Sequence, residues 1–329
     1  MTTSDPHAPP LRGSLPPGGA DPAWGGPAPD RSAFPSVRVA VAGAGNMGGA
    51  MVERLCAQGW PVVVCDIDPL RQQQALAAGA ELADRPDTAA RALTADGVLI
   101  VCVVDAAQSH AVLFGPNGGA CAMQPGQTVL LCPTIAPQDA EALAAALAER
   151  GIGCIDAPMS GGPARARDGS MSLMLAAPQA LLARHAPLLE VLSSRRFVIS
   201  ERVGDGARTK LVNNLLAGIN LVGAAEVMAL AERLGLDLPT TLDVIEQSSG
   251  QSWIGSDRMR RAIAGDFEPR AHVTLLEKDT RLAVQAAQAA GFEGPLGARA
   301  ADAFAQAHAA GLADRDDAAL LVWLRGQRR

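Results

Sequence analysis

The chain has 329 residues, of which 48% are hydrophobic and 19% charged. That length suits two domains of ~100–200 residues each, and that composition excludes wholesale disorder. With 28 basic against 34 acidic side chains, a formal net charge of −6 and no basic run, nucleic acid is not an expected partner. Arginine supplies 26 of those 28 cations, and Lys210 and Lys278 are the two lysines. Arginine keeps its proton near neutral pH, whereas a lysine can lose one. The two lysines therefore mark where proton transfer should be sought.

Six cysteines stand at 56, 65, 102, 121, 132 and 154 without a CxxC pair, in a chain large enough to need no disulfide staples. Reduced thiols and a cytoplasmic setting are expected. The five histidines show neither HxxH nor HExxH spacing, so no metal site and no histidine-based triad is expected.

In chain order, residues 1–36 hold nine prolines, five glycines and no apolar run. They read as a disordered tail and not as a signal peptide, which needs ~7–15 consecutive apolar residues. From Val37, short β-branched runs alternate with segments of helical period. Strands are predicted at 37–42, 61–65, 98–104, 128–131 and 153–155. Helices are predicted between them at 47–58, 69–78, 86–94, 106–113 and 137–150. This alternation predicts an α/β fold with a doubly wound parallel sheet covered on both faces. After about residue 203 the strand signals stop. Residues 206–234 predict one long, mostly apolar interdomain helix. Asn213, Asn214, Asn220 and Glu226 would be costly in lipid, so burial between domains or subunits is expected and a membrane is not. Further helices are predicted at about 239–247, 253–264, 275–290, 295–309 and 316–325. The division expected is a tail (1–36), a nucleotide-binding domain (37–203) and an all-α C-terminal domain (204–329).

Gly43-Ala44-Gly45-Asn46-Met47-Gly48 follows the first strand directly and opens the first helix, the context that a GxGxxG needs. The first glycine permits the turn, the second admits a pyrophosphate, and the third lets helix and strand pack closely. This predicts a Rossmann-type dinucleotide site on Gly43, Gly45, Asn46, Met47 and Gly48. Asp66 ends the second strand, where a carboxylate accepts ribose hydroxyls and repels a 2′-phosphate. The nearest arginine, Arg71, already lies in the next helix, so NAD is expected over NADP.

Two further segments carry chemistry. In Asp156-Ala157-Pro158-Met159-Ser160-Gly161-Gly162-Pro163, the glycines after the serine can expose consecutive N–H groups to an anion such as a carboxylate. In Lys210-Leu211-Val212-Asn213-Asn214, positions i and i+4 put Lys210 and Asn214 on one helix face. Burial and a positive helix end nearby would both favour the neutral amine of Lys210, which could take a proton from an alcohol.

These motifs, with Pro133-Thr134-Ile135-Ala136-Pro137 and Glu277-Lys278-Asp279, resemble the β-hydroxyacid dehydrogenase family over about residues 37–325. The resemblance implies Lys210 as catalytic acid/base and Asn214 as a substrate contact. It implies that Ser160, Gly161 and Gly162 hold the substrate carboxylate. It places Val103, Thr134 and Lys278 at the cofactor, Lys278 closing over it from the helical domain. Within the family, Ala106-Ala107-Gln108, Leu113-Phe114-Gly115, Ser249-Gly250-Gln251-Ser252-Trp253 and Gly265-Asp266-Phe267-Glu268-Pro269 resemble the L-threonate 2-dehydrogenases.

Three positions depart from the family pattern: Asp105 for asparagine, Pro133 for serine beside Thr134, and Ala318 for serine. The expectation is oxidation of a small polar hydroxy acid, L-threonate foremost, by a homodimer or homotetramer. Gln108, Ser252 and Asp105 favour a polar substrate if they line the pocket. The alternatives are a 3-hydroxyisobutyrate dehydrogenase, a semialdehyde reductase of the tartronate or succinic type, and a non-catalytic NAD-binding regulator. Imine-reducing relatives usually carry another residue at the lysine position and are disfavoured.

Overall fold

The computed structural model describes residues 37–326; the expected tail, 1–36, and residues 327–329 lie outside the described residues. Six strands form the parallel part of the sheet: β1 (Val39–Ala42), β2 (Val62–Cys65), β3 (Glu81–Leu82), β4 (Val98–Val101), β5 (Thr128–Leu131) and β6 (Gly153–Asp156). Their spatial order is β3-β2-β1-β4-β5-β6. Parallel strands need crossover helices, and these are α1 (Asn46–Ala57), α2 (Pro69–Ala77), α3 (Pro86–Arg91), α4 (Ala106–Phe114) and α5 (Pro137–Ala148).

Strands β1, β2 and β4 are apolar at every position because both faces are covered. Ala40, Ala42, Val63, Leu99, Val101, Val129 and Leu131 pack with Ala89, Leu113, Leu143 and Leu147 of the helices on one side. The alternate residues Val39, Val41, Val64, Ile100 and Leu130 point the other way and are just as buried, as are Met51, Val52 and Leu55 of α1. The strand order reverses between β1 and β4. That switch point is where an open α/β sheet leaves a crevice for a ligand.

The sheet continues past the last strand read from the sequence. β7 (Met159–Ser160) and β8 (Ser172–Ala176) run antiparallel to their partners, and β9 (Arg195–Ser200) pairs parallel with β8. The short helices α6 (Gly162–Asp168), α7 (Gln179–Arg184) and α8 (Ala186–Leu192) link them. The sheet is therefore parallel with a mixed edge. β9 escaped the sequence reading because it is exposed and begins Arg195-Arg196, without the apolar run of a buried strand.

All later elements are helical: α9 (Asp205–Arg233), α10 (Leu238–Glu246), α11 (Trp253–Ile263), α12 (Val273–Ala289), α13 (Gly297–Ala307) and α14 (Leu320–Gly326). By length and composition alone α9 could cross a membrane. Here it is an axis for the other helices, with Leu221, Ala225 and Met228 fully buried in a cluster with Leu242, Met259, Leu276, Phe304 and Leu321. At Gly218 a methyl group would lie 2.5 Å from Thr280 Cγ2. The missing side chain lets α12 approach α9 closely, one turn beyond Asn214.

Candidate active site

The glycine loop sits at the switch point. Gly43 has φ +94°, and a Cβ there would fall 2.5 Å from the Cys102 carbonyl oxygen and 3.0 Å from Val103 Cγ1. A Cβ on Gly48 would fall 2.0 Å from the Gly43 carbonyl, whereas one on Gly45 would meet nothing within 4 Å. The first and third glycines thus close the turn, and the second leaves room above it. Gly45 precedes α1 as its N-cap and brings no side-chain cap, so the first N–H groups of a 12-residue helix stay available. An open approach beside uncapped helix donors fits a dinucleotide pyrophosphate. A cavity of about 550 Å³ opens beside this loop, against Gly45, Asn46, Arg71, Arg167 and Arg270.

Asp66 reaches the loop from β2: its Oδ2 accepts from the Ala44 N–H at 2.5 Å and its Oδ1 from the Asp68 N–H at 2.8 Å. Arg71 lies inside the next helix, as read from the sequence, yet its side chain returns to the glycine loop. From the first turn of α2 it donates to Asn46 Oδ1 at 3.1 Å.

The second part of the site is built where β6 meets α9. Asp156, 2% exposed at the end of β6, accepts N–H bonds at Oδ2 from Gly204 (2.8 Å) and Ala207 (3.0 Å). It therefore caps the helix that carries Lys210. Burial pushes its carboxyl up to about 6, against the pull of those N–H donors. This alters the expected electrostatics, because a carboxylate covers the positive end of α9 that was to favour a neutral lysine.

Lys210 is 7% exposed, and its pKa still falls, to about 8. Desolvation lowers it, the carboxylate of Asp279 opposes the drop, and Lys278 adds to it. One turn further, Asn214 Nδ2 donates to Asp279 Oδ2 at 2.6 Å. From α12, Lys278 Nζ donates to the Thr134 carbonyl, just beyond β5, at 2.5 Å. Lys278 Nζ also forms an ion pair with the buried Asp279 Oδ1 at 2.8 Å. Lys210, Asn214 and Lys278 thus meet around one carboxylate, and Lys278 ties the cluster to the Thr134 carbonyl. Asp279 was missed as a functional residue although it directly follows Lys278. Its adjacency to a scarce lysine was the available signal.

Ser160 ends β7, opposite Ser172, and Gly161 and Gly162 follow with φ +129° and +75°. Asp156, which bonds the start of α9, lies four residues upstream of Ser160. Met47 and Val103 are half-buried, and Val103 packs against Gly43 as described.

The residues read as signs of a polar pocket are helix caps. Asp105 Oδ1 accepts from the Gln108 N–H at 2.8 Å, and Gln108 Oε1 accepts from the Val104 N–H at 3.0 Å. Ser252 Oγ accepts from the Gly255 N–H at 3.2 Å. Ala318 is fully buried in the helical core. The six cysteines are unpaired, and burial raises the thiols of Cys65, Cys102, Cys132 and Cys154.

A glycine loop at a switch point, with a buried lysine of lowered pKa on the helix that follows the sheet, is the equipment of a nicotinamide-dependent dehydrogenase. Residues 38–200 match the family model for the NAD binding domain of 6-phosphogluconate dehydrogenase. Residues 204–324 match that for the NAD-binding part of NADP-dependent 3-hydroxyisobutyrate dehydrogenase. The chain belongs to this family of NAD-binding hydroxyacid dehydrogenases. It is 37% identical over 287 residues to an L-threonate dehydrogenase of Cupriavidus necator, covering 87% of this chain and 95% of the relative. It superposes with a TM-score of 0.81 on a crystal structure named as 3-hydroxyisobutyrate dehydrogenase from Salmonella typhimurium, at 35% identity over 87% of this chain and 99% of that one. A solved complex of Psf3 with NADP+ gives a TM-score of 0.80 at 28% identity, over 87% of this chain and 99% of that one.

Proposed function

We propose that the protein oxidises L-threonate at C2 with NAD, with Lys210 as the base. The observation that carries the base assignment is the buried amine held at about 8 by desolvation. A base poised near operating pH accepts a proton most efficiently. The 160–162 turn and Ser160 hold the substrate carboxylate, which fixes its orientation. Asn214 donates to the substrate hydroxyl or its neighbour, and the charge of the Asp279 carboxylate stabilises the ammonium that Lys210 becomes.

Gly43, Gly45, Asn46, Met47 and Gly48 hold the dinucleotide phosphates, Asp66 the adenosine ribose, and Val103, Thr134 and Lys278 the nicotinamide end. When bound, the nicotinamide ring accepts the hydride released from C2. The substrate carbinol becomes a ketone, and its hydroxyl proton passes to Lys210 Nζ.

L-threonate is favoured by the 37% identity over 287 residues to a relative of that name. The second substrate reading, 3-hydroxyisobutyrate, rests on the name of the Salmonella neighbour. NAD is favoured by Asp66, whereas the contact of Arg71 with the loop favours a second reading in which the 2′-phosphate of NADP is tolerated.

The working division is a nucleotide-binding domain at 37–203 and a helical domain at 204–329. The exposed apolar side chains Val212, Leu216, Val227 and Leu230 of α9 support a homodimer or homotetramer that covers them. Unpaired cysteines support a cytoplasmic setting.

The test is a panel of two- to six-carbon hydroxy acids with NAD and NADP, followed at the reduced-nicotinamide absorbance. Highest kcat/KM on L-threonate with NAD is expected. A preference for 3-hydroxyisobutyrate would overturn the substrate reading, and a preference for NADP the cofactor reading.

A further inference from the structure

The two arginines of α6 are used very differently. Arg167 is paired with Glu53 through both Nε and Nη2. Arg165 has no carboxylate within salt-bridge distance and no hydrogen-bond partner among the described residues. Its guanidinium carbon lies 4.9 Å from the centroid of the Trp253 ring, on α11. Asp168 feels its charge, but the Asp168 carboxylate is engaged with the Ser170 N–H at 2.8 Å.

The stem of Arg165 crosses the 160–162 turn. A Cβ on Gly161 would fall 2.9 Å from Arg165 Cδ and 3.2 Å from Arg165 Cβ. With φ +129° at that glycine, both its backbone and the space beside it exclude a larger residue. The charged head is therefore confined to within a few bonds of the turn. The aromatic face holds it by a cation–π contact that leaves its N–H edges unengaged. A guanidinium presents five such donors, in a fork that matches a carboxylate.

We propose that Arg165, seated on Trp253, is a specificity-determining residue that hydrogen-bonds the substrate carboxylate at the 160–162 turn. The inference rests on the reading that this turn holds the carboxylate. Backbone N–H groups and a serine hydroxyl alone would bind a carboxylate and a carboxamide with limited distinction. An unpaired guanidinium adds selection for the anion. It supplies a charge complement that the overall net charge of −6 does not.

The test uses the full-length enzyme, saturated with cofactor, and whichever hydroxy acid the wild type oxidises best, together with the primary amide of that acid. Every candidate acid carries the carboxylate, so the experiment does not depend on which acid is chosen. For Arg165→Ala, KM for the acid should rise about 10- to 100-fold, the range for losing a hydrogen bond to a charged group. With kcat within about threefold of wild type, this would be the signature of uniform binding. The preference for acid over amide should fall by the same factor. Arg165→Lys should recover part of that preference, and Arg165→Gln, which keeps much of the stem, should not. These two variants also serve if the alanine form does not fold.

If the acid and its amide lose equally in every folded variant, Arg165 is a structural tie to Trp253 and the proposal is overturned. An unchanged KM for the acid overturns it too, while leaving the hydroxyacid reading standing. Failure of the wild type on every acid removes both.

Discussion

The two halves of the site are made of different material. On the sheet side the groups offered are mostly backbone: the loop at Gly43–Gly48, the turn at 160–162 and the carbonyl of Thr134. On the helical side they are side chains: Lys210 and Asn214 of α9, Lys278 and Asp279 of α12. Backbone positions are fixed by strand ends and by glycines that leave no room for a methyl group. The side-chain cluster depends on two helices meeting closely, which Gly218 permits. Damage to the glycine loop should appear in cofactor affinity, damage to the 160–162 turn in KM for the acid, and damage to Lys210 in kcat.

The largest expected effect separates the halves most sharply. Lys210→Ala should lower kcat by ~10²–10⁴, the usual range for loss of a general base, with the NAD dissociation constant unchanged. Lys210→Arg should be equally inactive, because guanidinium does not deprotonate near neutral pH. Steady-state kinetics with a fluorescence titration of the cofactor checks both.

Next comes Gly48→Ala, whose new methyl would fall 2.0 Å from the Gly43 carbonyl. The loop must shift, and NAD should bind about tenfold or more weakly, a cost of roughly 1.4 kcal/mol. The acid limb of the pH profile should not move, because Lys210 is untouched.

Asp279→Asn should produce the opposite split. The carboxylate raises the Lys210 pKa against desolvation. Its removal should therefore move the acid limb of kcat/KM to lower pH by about one unit, a typical shift for losing a neighbouring opposite charge. Cofactor affinity should change less than kcat. A limb that moves to higher pH would contradict the assigned sign.

The smallest effect concerns the junction. Asp156→Ala leaves the Gly204 and Ala207 N–H groups without their acceptor, at a cost of about 1–3 kcal/mol in unfolding free energy. The pH dependence has a definite sign. The folded pKa, about 6, is above the ordinary 3.8. The folded state thus holds the extra proton between those values, and this contribution to stability is lost as pH rises through about 6. The stability of wild type relative to Asp156→Asn should accordingly fall between pH 4 and 6 and level off above, as denaturant titrations at several pH values would reveal.

The same contrast explains what the sequence could disclose. Gly43–Gly48, Asp66 and the alternating strands were legible because a glycine requirement or a doubly buried strand leaves a local mark on the chain. The helix face shared by Lys210 and Asn214 was legible from i, i+4 spacing. The role of Asp279 was not, since a carboxylate 65 residues from Asn214 becomes its partner only when α12 packs on α9. Asp105, Gln108 and Ser252 carry a purely local signal: polar residues at helix starts bond to the adjacent backbone, whatever lies beyond. Arg71 was discounted by its place inside α2, yet an arginine side chain is long enough to return to the glycine loop.

The most direct test of the central claim is the pH dependence of kcat/KM for hydroxy-acid oxidation, from about pH 6 to 10. With Lys210 as a buried base at about 8, the rate should rise with pH through a single ionisation near 8 and then level off. Lys210→Ala should abolish turnover at every pH. A flat profile in the wild type, or a Lys210→Ala variant that keeps more than about a tenth of the activity, against the ~10²–10⁴ loss expected of a general base, would contradict the account.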